Sequence, residues 1–190
     1  HLHRLRESGP AKGNGEHKHD RLVTEAAAQW LRHERPKDCP WILIVNIKKP
    51  HPGWNPPQEL WDYYDPLVRL ENLDQRYSEP ISRLHPFHQA FVHYTCSDLV
   101  TPEEIRRGLV GYHGTCEMAD RNVGRVLRAI DTEDLWDTTL VAYGSDHGGS
   151  MGAHHHSGMG SMYEDSIRVP LIVAGPGIAS DEVESTPVSH

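Results

Sequence analysis

Residues 145–173 read SDHGGSMGAHHHSGMGSMYEDSIRVPLIV. Asp146 and His147 come directly after the apolar run TTLVAYG (138–144), and a second apolar run, VPLIVAG (169–175), follows the glycine- and histidine-rich segment. Three interpretations of the segment between the two runs are open. It is a solvated turn, a histidine-rich metal-binding segment, or one wall of a catalytic metal site.

Composition narrows the class of protein. The chain has 190 residues, 37% of them hydrophobic, and its longest apolar runs are far shorter than a membrane-spanning helix. The net charge of −8 provides no basic stripe for a phosphate backbone, which argues against nucleic acid as a partner. These features predict one soluble domain without a membrane segment. The chain begins at His1 without a signal-peptide pattern, and we expect it to be a portion of a longer protein.

The apolar patterns predict an α/β fold. The run WILIVNI (41–47) is typical of a buried strand, as are residues 138–144 and 169–175. Asp20 can cap a helix of helical apolar period, and Thr101 begins a second helix that continues to about residue 130. Strands that alternate with helices favour a layered α/β sandwich with a mostly parallel sheet.

Residues 58–100 lack a sustained period, and an irregular insertion is expected over about 52–100, with one short helix near Glu59–Tyr64. The arginines of the long helix lie off its apolar stripe and should face outward. Three helical glycines, Gly108, Gly111 and Gly114, indicate either close packing or a bend.

Two polar motifs follow predicted strands, and in open α/β sheets ligands bind beyond the carboxyl ends of the strands. His51 lies in the stiff KKPHP loop after the first strand, and Asp146 and His147 follow the second. Aspartate and neutral imidazole can both bind a divalent cation. The alternative is a plain turn in which Asp146 caps backbone amides. The triplet 154–156 is expected to be mostly solvated, with at most one histidine facing a site, because adjacent side chains point to alternate sides.

These motifs together resemble the sulfatase family of the alkaline phosphatase superfamily. TTLVAYGSDHGGSMGAHHH, followed by MYEDSIRVPLIVAGPG, is similar to the family's carboxyl-side signature. WILIVNIKKPHPGWNPP resembles its upstream strand and P-H-x-P loop, and GTCEMADRNVGRVLRAI resembles its intervening helix. The likeness runs in matching order from about Asp20 to Gly177. It implies that residues 1–190 form a single partial catalytic domain with an alkaline-phosphatase-like fold.

The resemblance also implies roles for individual residues. Asp146 matches the aspartate that binds the catalytic cation, and His147 matches the next position at the metal. His51 matches the histidine that contacts the sulfate or the ester oxygen, which makes it the catalytic candidate here. His154 falls on a frequent family histidine on the substrate side. The implied cofactor is a divalent metal, calcium in sulfatases and manganese or zinc in phosphoester or phosphonate hydrolases.

Two departures from the family pattern stand out. Sulfatases make their formylglycine nucleophile within a C/S-x-P-x-R motif, and none of Cys39, Cys96 or Cys116 has that context. The family places this nucleophile upstream of the matched region. Counting without gaps from Asp146, the sulfate-binding lysine falls at position 159, where this chain has Met159.

The leading interpretation is the carboxyl-side portion of a metal-dependent sulfuric ester hydrolase that acts on a small-molecule or glycan sulfate ester. Met159 keeps open a phosphodiesterase or phosphonate-ester hydrolase of the same superfamily. A catalytically inactive sulfatase-like binding module is the alternative from another class. The fragment alone is expected to be inactive because it lacks the nucleophile.

Overall fold

The fold is taken from a computed structural model of the chain, which describes residues 2–13 and 18–189. Five helices come first along the chain, and the short strands lie in its last third. The helices are α1 (Leu2–Arg6), α2 (Lys18–Gln29), α3 (Gln58–Tyr64), α4 (Pro86–Tyr94), α5 (Pro102–Thr132) and α6 (Glu164–Ile167). The strands are β1 (Val141–Gly144), β2 (Ser150–Met151), β3 (Ser157–Gly158) and β4 (Leu171–Ala174). None of the described helices is both long and apolar enough to cross a membrane.

The 31-residue helix α5 is the centre of the structure, and α1, α2 and α3 all pack against it. Its predicted start is confirmed. The Thr101 side chain accepts a hydrogen bond from the Glu104 amide, the Glu104 carboxylate accepts one from the Thr101 amide, and Pro102 occupies the first turn. Of its arginines, Arg121 pairs with Glu117 four residues earlier, and Arg106 pairs with Glu103 three residues earlier.

The helical glycines of α5 are explained by close packing, not by a bend. A Cβ atom at Gly111 would lie 2.3 Å from the carbonyl oxygen of Trp54, and one at Gly114 would lie 2.6 Å from the ring of Pro56. The segment that follows residues 41–47 therefore runs directly over the backbone of α5. Trp54 is buried there in a core with Leu109.

The helix predicted to begin at Asp20 starts earlier, at Lys18, so Asp20 is not its cap. The side chain of Asp20 is buried and faces another part of the chain. Its two carboxylate oxygens accept hydrogen bonds from the backbone amides of Lys48 (3.0 Å) and Lys49 (2.9 Å). The helix continues as a π-helical turn over Trp30–Glu34 and ends before Pro36, as predicted.

Residues 41–47 were predicted to be a buried strand, and this prediction is not confirmed. The segment is extended, with side chains alternately half-buried and exposed, but it belongs to neither of the ladders found among the described residues. Trp41 and Leu43 pack towards α2 and α5, with the ring of Trp41 edge-on to Trp30 at 5.4 Å. Ile42 points the other way and is 88% exposed.

A mostly parallel sheet is likewise not confirmed, although the fold is α/β. β1 and β4 lie within the two predicted apolar runs, but they pair antiparallel, with Val141 opposite Ala174. β2 and β3 form a second small antiparallel ladder. A parallel pair needs a crossover that packs on the sheet, usually a helix. The connection between β1 and β4 contains the short hairpin β2–β3, a 3-10 turn at Ala153–His155 and the four-residue helix α6, none of which is long enough to serve as a crossover helix.

The predicted short helix near Glu59–Tyr64 is confirmed as α3, whereas the nine-residue helix α4 was not predicted. Between them lie only short 3-10 turns, at Leu70–Asn72, Gln75–Tyr77 and Ile81–Arg83. This region supplies several of the side chains that hold the histidine triplet.

Candidate functional site

The loop that carries His51 is fixed at both ends. On one side Asp20 binds the amides of Lys48 and Lys49, and on the other the indole Nε1 of Trp54 donates to the carbonyl of Pro50 (3.0 Å). The hydrogen bonds that Asp20 accepts outweigh the effect of its burial, which alone would raise its pKa, so the pKa of Asp20 lies below its usual value. His51 is thus exposed on a loop whose supports are buried.

Asp146 and His147 form a tight polar turn directly after β1. One oxygen of the Asp146 carboxylate accepts a hydrogen bond from the His147 amide (3.0 Å), and the other lies 3.8 Å from His147 Nε2. The hydroxyl of Ser145 donates to the carbonyl of His147, and the Gly148 amide donates to the carbonyl of Ser166. The Asp146 side chain is 86% exposed. The aspartate therefore makes the backbone contact of a turn and also keeps a carboxylate at the surface.

His51 and His147 share one hydrogen-bonding feature. Each ring places Nδ1 against a backbone carbonyl, that of Pro52 at 3.0 Å for His51 and that of Gly148 at 2.7 Å for His147. A carbonyl can only accept, so Nδ1 of each ring carries the proton. In the neutral rings Nε2 then carries the lone pair, which is the form in which imidazole binds a metal or accepts a proton.

The described residues do not complete a metal site. They contain no group of three or more histidine, cysteine, aspartate or glutamate side chains arranged to hold an ion. Asp146 and His147 provide two donors, whereas calcium takes six to eight oxygen ligands and zinc takes four ligands. Two donors are too few to hold either ion, so Asp146 and His147 can form at most one edge of such a site.

The prediction that the histidine triplet is mostly solvated is wrong. His154 is half-buried, with Nδ1 2.7 Å from a carboxylate oxygen of Glu79 and its ring stacked on Tyr163 at 3.8 Å. Nε2 of His155 lies 2.7 Å from the carbonyl oxygen of Glu79. His154 and His155 adopt the left-handed conformation, which turns consecutive side chains towards the same neighbour. The alternation expected of an extended chain therefore does not apply.

His156 is the most deeply buried member, at 2% exposure, and neither ring nitrogen has a hydrogen-bond partner. It packs against His88 and Phe91, with ring centroids 5.0 and 5.3 Å away. Burial, together with the charges that His88, His154 and His155 can carry, lowers the pKa of His156 to about 4. Burial also lowers the pKa of His88. Both rings are therefore neutral at pH 7.

Met159 lies in the loop after β3, between Gly158 and Gly160, whose positive φ angles of 94° and 107° form a tight bend. Its side chain is half exposed and brings no charge to this surface. Position 159 is therefore accessible to solvent and carries no positive charge.

Several supporting residues were missed by the sequence patterns. Glu79 holds His154 and His155, and Arg76 bridges Asp74 and Asp165 at 2.6 Å each, close to the same loop. Asp74, Arg76 and Glu79 lie in the segment without periodicity, so no local sequence motif identifies them. Asp165 follows the recognisable tyrosine–glutamate pair, which was the one available signal.

The chain is similar to several known proteins. The sulfatase family profile matches residues 4–190. Arylsulfatase K of Gallus gallus is 30% identical over 205 residues, covering 97% of this chain and 38% of that protein. Choline-sulfatase of Rhizobium meliloti is 30% identical over 154 residues, covering 80% of this chain and 29% of that protein. The chain thus spans well under half of the curated relatives it matches.

Among solved structures, the phosphonate monoester hydrolase of Agrobacterium radiobacter superposes with a TM-score of 0.69 at 21% identity. The match covers 90% of this chain and 35% of the hydrolase. At this identity the likeness concerns the fold alone, which is that of the alkaline-phosphatase-like enzymes.

Proposed function

Because this chain belongs to the sulfatase family, we propose that it is the part of a sulfuric ester hydrolase that carries one edge of the metal site and the ester-binding histidine. The 190 residues form one partial catalytic domain in this proposal, with an insertion at about 52–100. The observation that carries it is the matched Nδ1 hydrogen bonding of His51 and His147, which leaves Nε2 of each ring for a ligand.

Asp146 and His147 serve as metal ligands in this proposal. Members of the family generally depend on a divalent metal ion, which neutralises the anionic oxygens of the ester when it is bound. We assign calcium to a sulfate-ester site, and manganese or zinc to a phosphoester or phosphonate site. The exposed carboxylate of Asp146 supports this role, since a ligand has to remain accessible. The other ligands come from the part of the domain that these residues do not include.

His51 contacts the sulfate or the ester oxygen. Its Nδ1–H is held by the Pro52 carbonyl, so the proton that it gains or loses is on Nε2. As imidazolium it donates a hydrogen bond to a negatively charged oxygen, and as neutral imidazole it accepts one. The buried supports at Asp20 and Trp54 fix the loop before substrate arrives, which lowers the cost of ordering it.

His154 lies on the substrate side in this proposal, where its Nδ1 is 2.7 Å from a carboxylate oxygen of Glu79. The substrate is a small-molecule or glycan sulfate ester. One observation favours a second candidate, a phosphodiesterase or phosphonate-ester hydrolase. Met159 occupies the position of the family's sulfate-binding lysine and provides no positive charge. The same residue is compatible with an inactive sulfatase-like binding module.

The intact gene product separates these candidates. It should be assayed on an aryl sulfate, an aryl phosphate and a phenyl phosphonate monoester, each with calcium, manganese or zinc. Preference for the sulfate ester with calcium supports the sulfatase. Preference for the phosphate or phosphonate ester supports the second candidate. No turnover of any ester, with the fold intact by circular dichroism, supports the binding module.

A further inference from the structure

Helix α6 lies directly against the turn that carries Asp146 and His147. The backbone amide of Gly148, the next residue, donates a hydrogen bond of 2.8 Å to the carbonyl of Ser166 in α6. The two backbones approach so closely that a Cβ atom at Gly148 would clash with the carbonyl oxygen of Asp165. A shift of α6 therefore displaces the turn, because close-packed atoms transmit such movements.

A buried group of three serine hydroxyls also connects α6 to the rest of the loop. The hydroxyl oxygen of Ser166 lies 2.7 Å from that of Ser161 and 3.4 Å from that of Ser150. All three serines are at most 5% exposed. The short helix thus has fixed contacts with β2 and with the segment that follows Met159.

An ion pair attaches α6 to the aperiodic segment 58–100. Nη1 of Arg76 donates to Oδ1 of Asp165 at 2.6 Å, and Nη2 donates to Oδ2 of Asp74 at 2.6 Å. The other carboxylate oxygen of Asp165 lies 4.0 Å from Nε2 of His154. The side chain of Asp165 is only 21% exposed, so solvent screens this pair less than one at the open surface. The Asp165 carboxylate therefore lies between Arg76 and the candidate substrate-side histidine.

We propose that Arg76 is a positioning residue of the site. Through Asp165 it holds α6 against Gly148, and it thereby fixes the turn that presents Asp146 and His147. The role at a metal edge rests on the proposed function. The link from Arg76 to Gly148 does not, because it can be measured without an ester or a metal ion.

Hydrogen–deuterium exchange of the intact gene product tests this link. Exchange is read by mass spectrometry on the peptide that spans Gly148, with the peptide that spans Val110 in α5 as the internal reference. Arg76→Met removes the ion pair, so the Gly148 peptide should exchange at least ~10-fold faster while the Val110 peptide keeps its rate. The matched control is Arg83→Met, which removes an exposed arginine of the same segment and should change neither peptide.

Two results of this experiment would overturn the inference. Unchanged exchange at Gly148 in Arg76→Met would show that the turn is held without the arginine. Equal acceleration at Val110 would show that Arg76 stabilises the whole domain instead of the turn.

Asp165→Asn provides a second variant that removes the same ion pair and keeps the size of the side chain. It should accelerate exchange at Gly148 as Arg76→Met does. The double variant should exchange less than ~2-fold faster than either single variant, because both changes remove one contact. Fully additive effects of the two substitutions would contradict a path that runs through this pair.

Metal affinity of the intact protein gives a readout at the site itself. Loss of support for a metal ligand typically weakens metal binding by about 10–100-fold. Calorimetric titration with calcium or manganese should therefore show at least ~10-fold weaker binding in Arg76→Met. Arg76→Lys should give an intermediate affinity, because a lysine keeps the charge but not the fork that bridges two carboxylates.

The two readouts separate this inference from the proposed function. If the unmodified protein binds neither calcium nor manganese, the metal-edge assignment of Asp146 and His147 fails, and exchange at Gly148 still decides whether Arg76 holds the turn. If the unmodified protein binds the ion and Arg76→Met binds it equally well, the positioning role of Arg76 is overturned.

Discussion

The carboxylate of Asp20 in α2 accepts a hydrogen bond of 2.9 Å from the backbone amide of Lys49, two residues before His51. The second oxygen binds the Lys48 amide, so one buried side chain fixes the start of the loop. The position of the catalytic candidate therefore depends on a residue about thirty positions away in the sequence, in helix α2.

Replacement of Asp20 tests this dependence. Asp20→Ala leaves both amides without their acceptors and should lower the free energy of unfolding by about 2 kcal/mol. Asp20→Asn keeps one acceptor oxygen and should cost less. The matched control is Glu25→Ala on the same helix, which removes an exposed pair with Arg21 and should cost less than about 1 kcal/mol. Urea unfolding measures all three. Equal effects of Asp20→Ala and Glu25→Ala would contradict the anchoring role.

The glycine face of α5 gives a second prediction. Gly111→Ala places a Cβ atom against the Trp54 carbonyl and should lower stability by about 1–3 kcal/mol, because the backbone there has to shift. Gly124→Ala in the same helix meets only the end of the flexible Arg128 side chain. It should raise stability by up to about 1 kcal/mol through helix propensity. Thermal unfolding of the two variants compares them, and stabilisation by Gly111→Ala would refute the close approach.

Because His156 is buried, we expect the free energy of unfolding to fall at acid pH. Its pKa is about 4 in the folded chain against 6.5 for the ordinary group, so the unfolded chain takes up the proton first. The free energy of unfolding should therefore fall as the pH drops from about 6.5 to about 4, by about 3 kcal/mol in total, and this contribution levels off below that. His156→Leu should remove this share of the pH dependence, whereas the exposed-residue control His33→Leu should keep it. Urea unfolding at several pH values measures the loss, and an unchanged profile in His156→Leu would contradict the assignment.

Met159 predicts a gain of function. If position 159 faces the sulfate group, Met159→Lys in the intact protein should strengthen sulfate binding by about 1–3 kcal/mol, because a cation returns to a partly desolvated anion site. Met162→Lys adds the same charge at another exposed methionine of the loop and serves as the control. Calorimetric titration with sulfate compares the two. No difference between them would mean that position 159 points away from the anion.

The 190-residue chain alone should hydrolyse neither aryl sulfate nor aryl phosphate esters. It contains no C/S-x-P-x-R motif to supply the nucleophile, so no covalent intermediate can form on it. The assay uses the purified chain with calcium or manganese. Metal-dependent turnover that Asp146→Ala abolishes would contradict this prediction.

Local patterns were sufficient for part of the fold. The capping box and apolar stripe identified α5, and the apolar runs located β1 and β4, because each of these signals depends on neighbours in the sequence. Pairing depends on distant residues, and the antiparallel register of β1 and β4 was not predictable from either run. The strand predicted at 41–47 has the right pattern but lacks a partner among the described residues.

The candidate site, like the fold, was predictable from the sequence only in part. Asp146, His147 and His51 were singled out as candidates from their positions after apolar runs, while the residues that contact them were not singled out. Burial of the triplet depends on Glu79, which lies in the aperiodic segment, and on the left-handed backbone at His154 and His155. Neither feature has a sequence signal. Whether His51 and Asp146 converge on one ligand stays a prediction.

Ester hydrolysis by the intact gene product tests the central claim most directly. We expect Asp146→Ala and His51→Ala each to lower kcat/KM for the preferred ester by at least ~100-fold. Excess divalent metal should partly restore Asp146→Ala, because that change weakens metal binding, and should not restore His51→Ala. The exposed-residue control His33→Ala should retain full activity. Activity that survives both Asp146→Ala and His51→Ala would contradict the account, since neither the metal edge nor the ester-binding histidine would then take part.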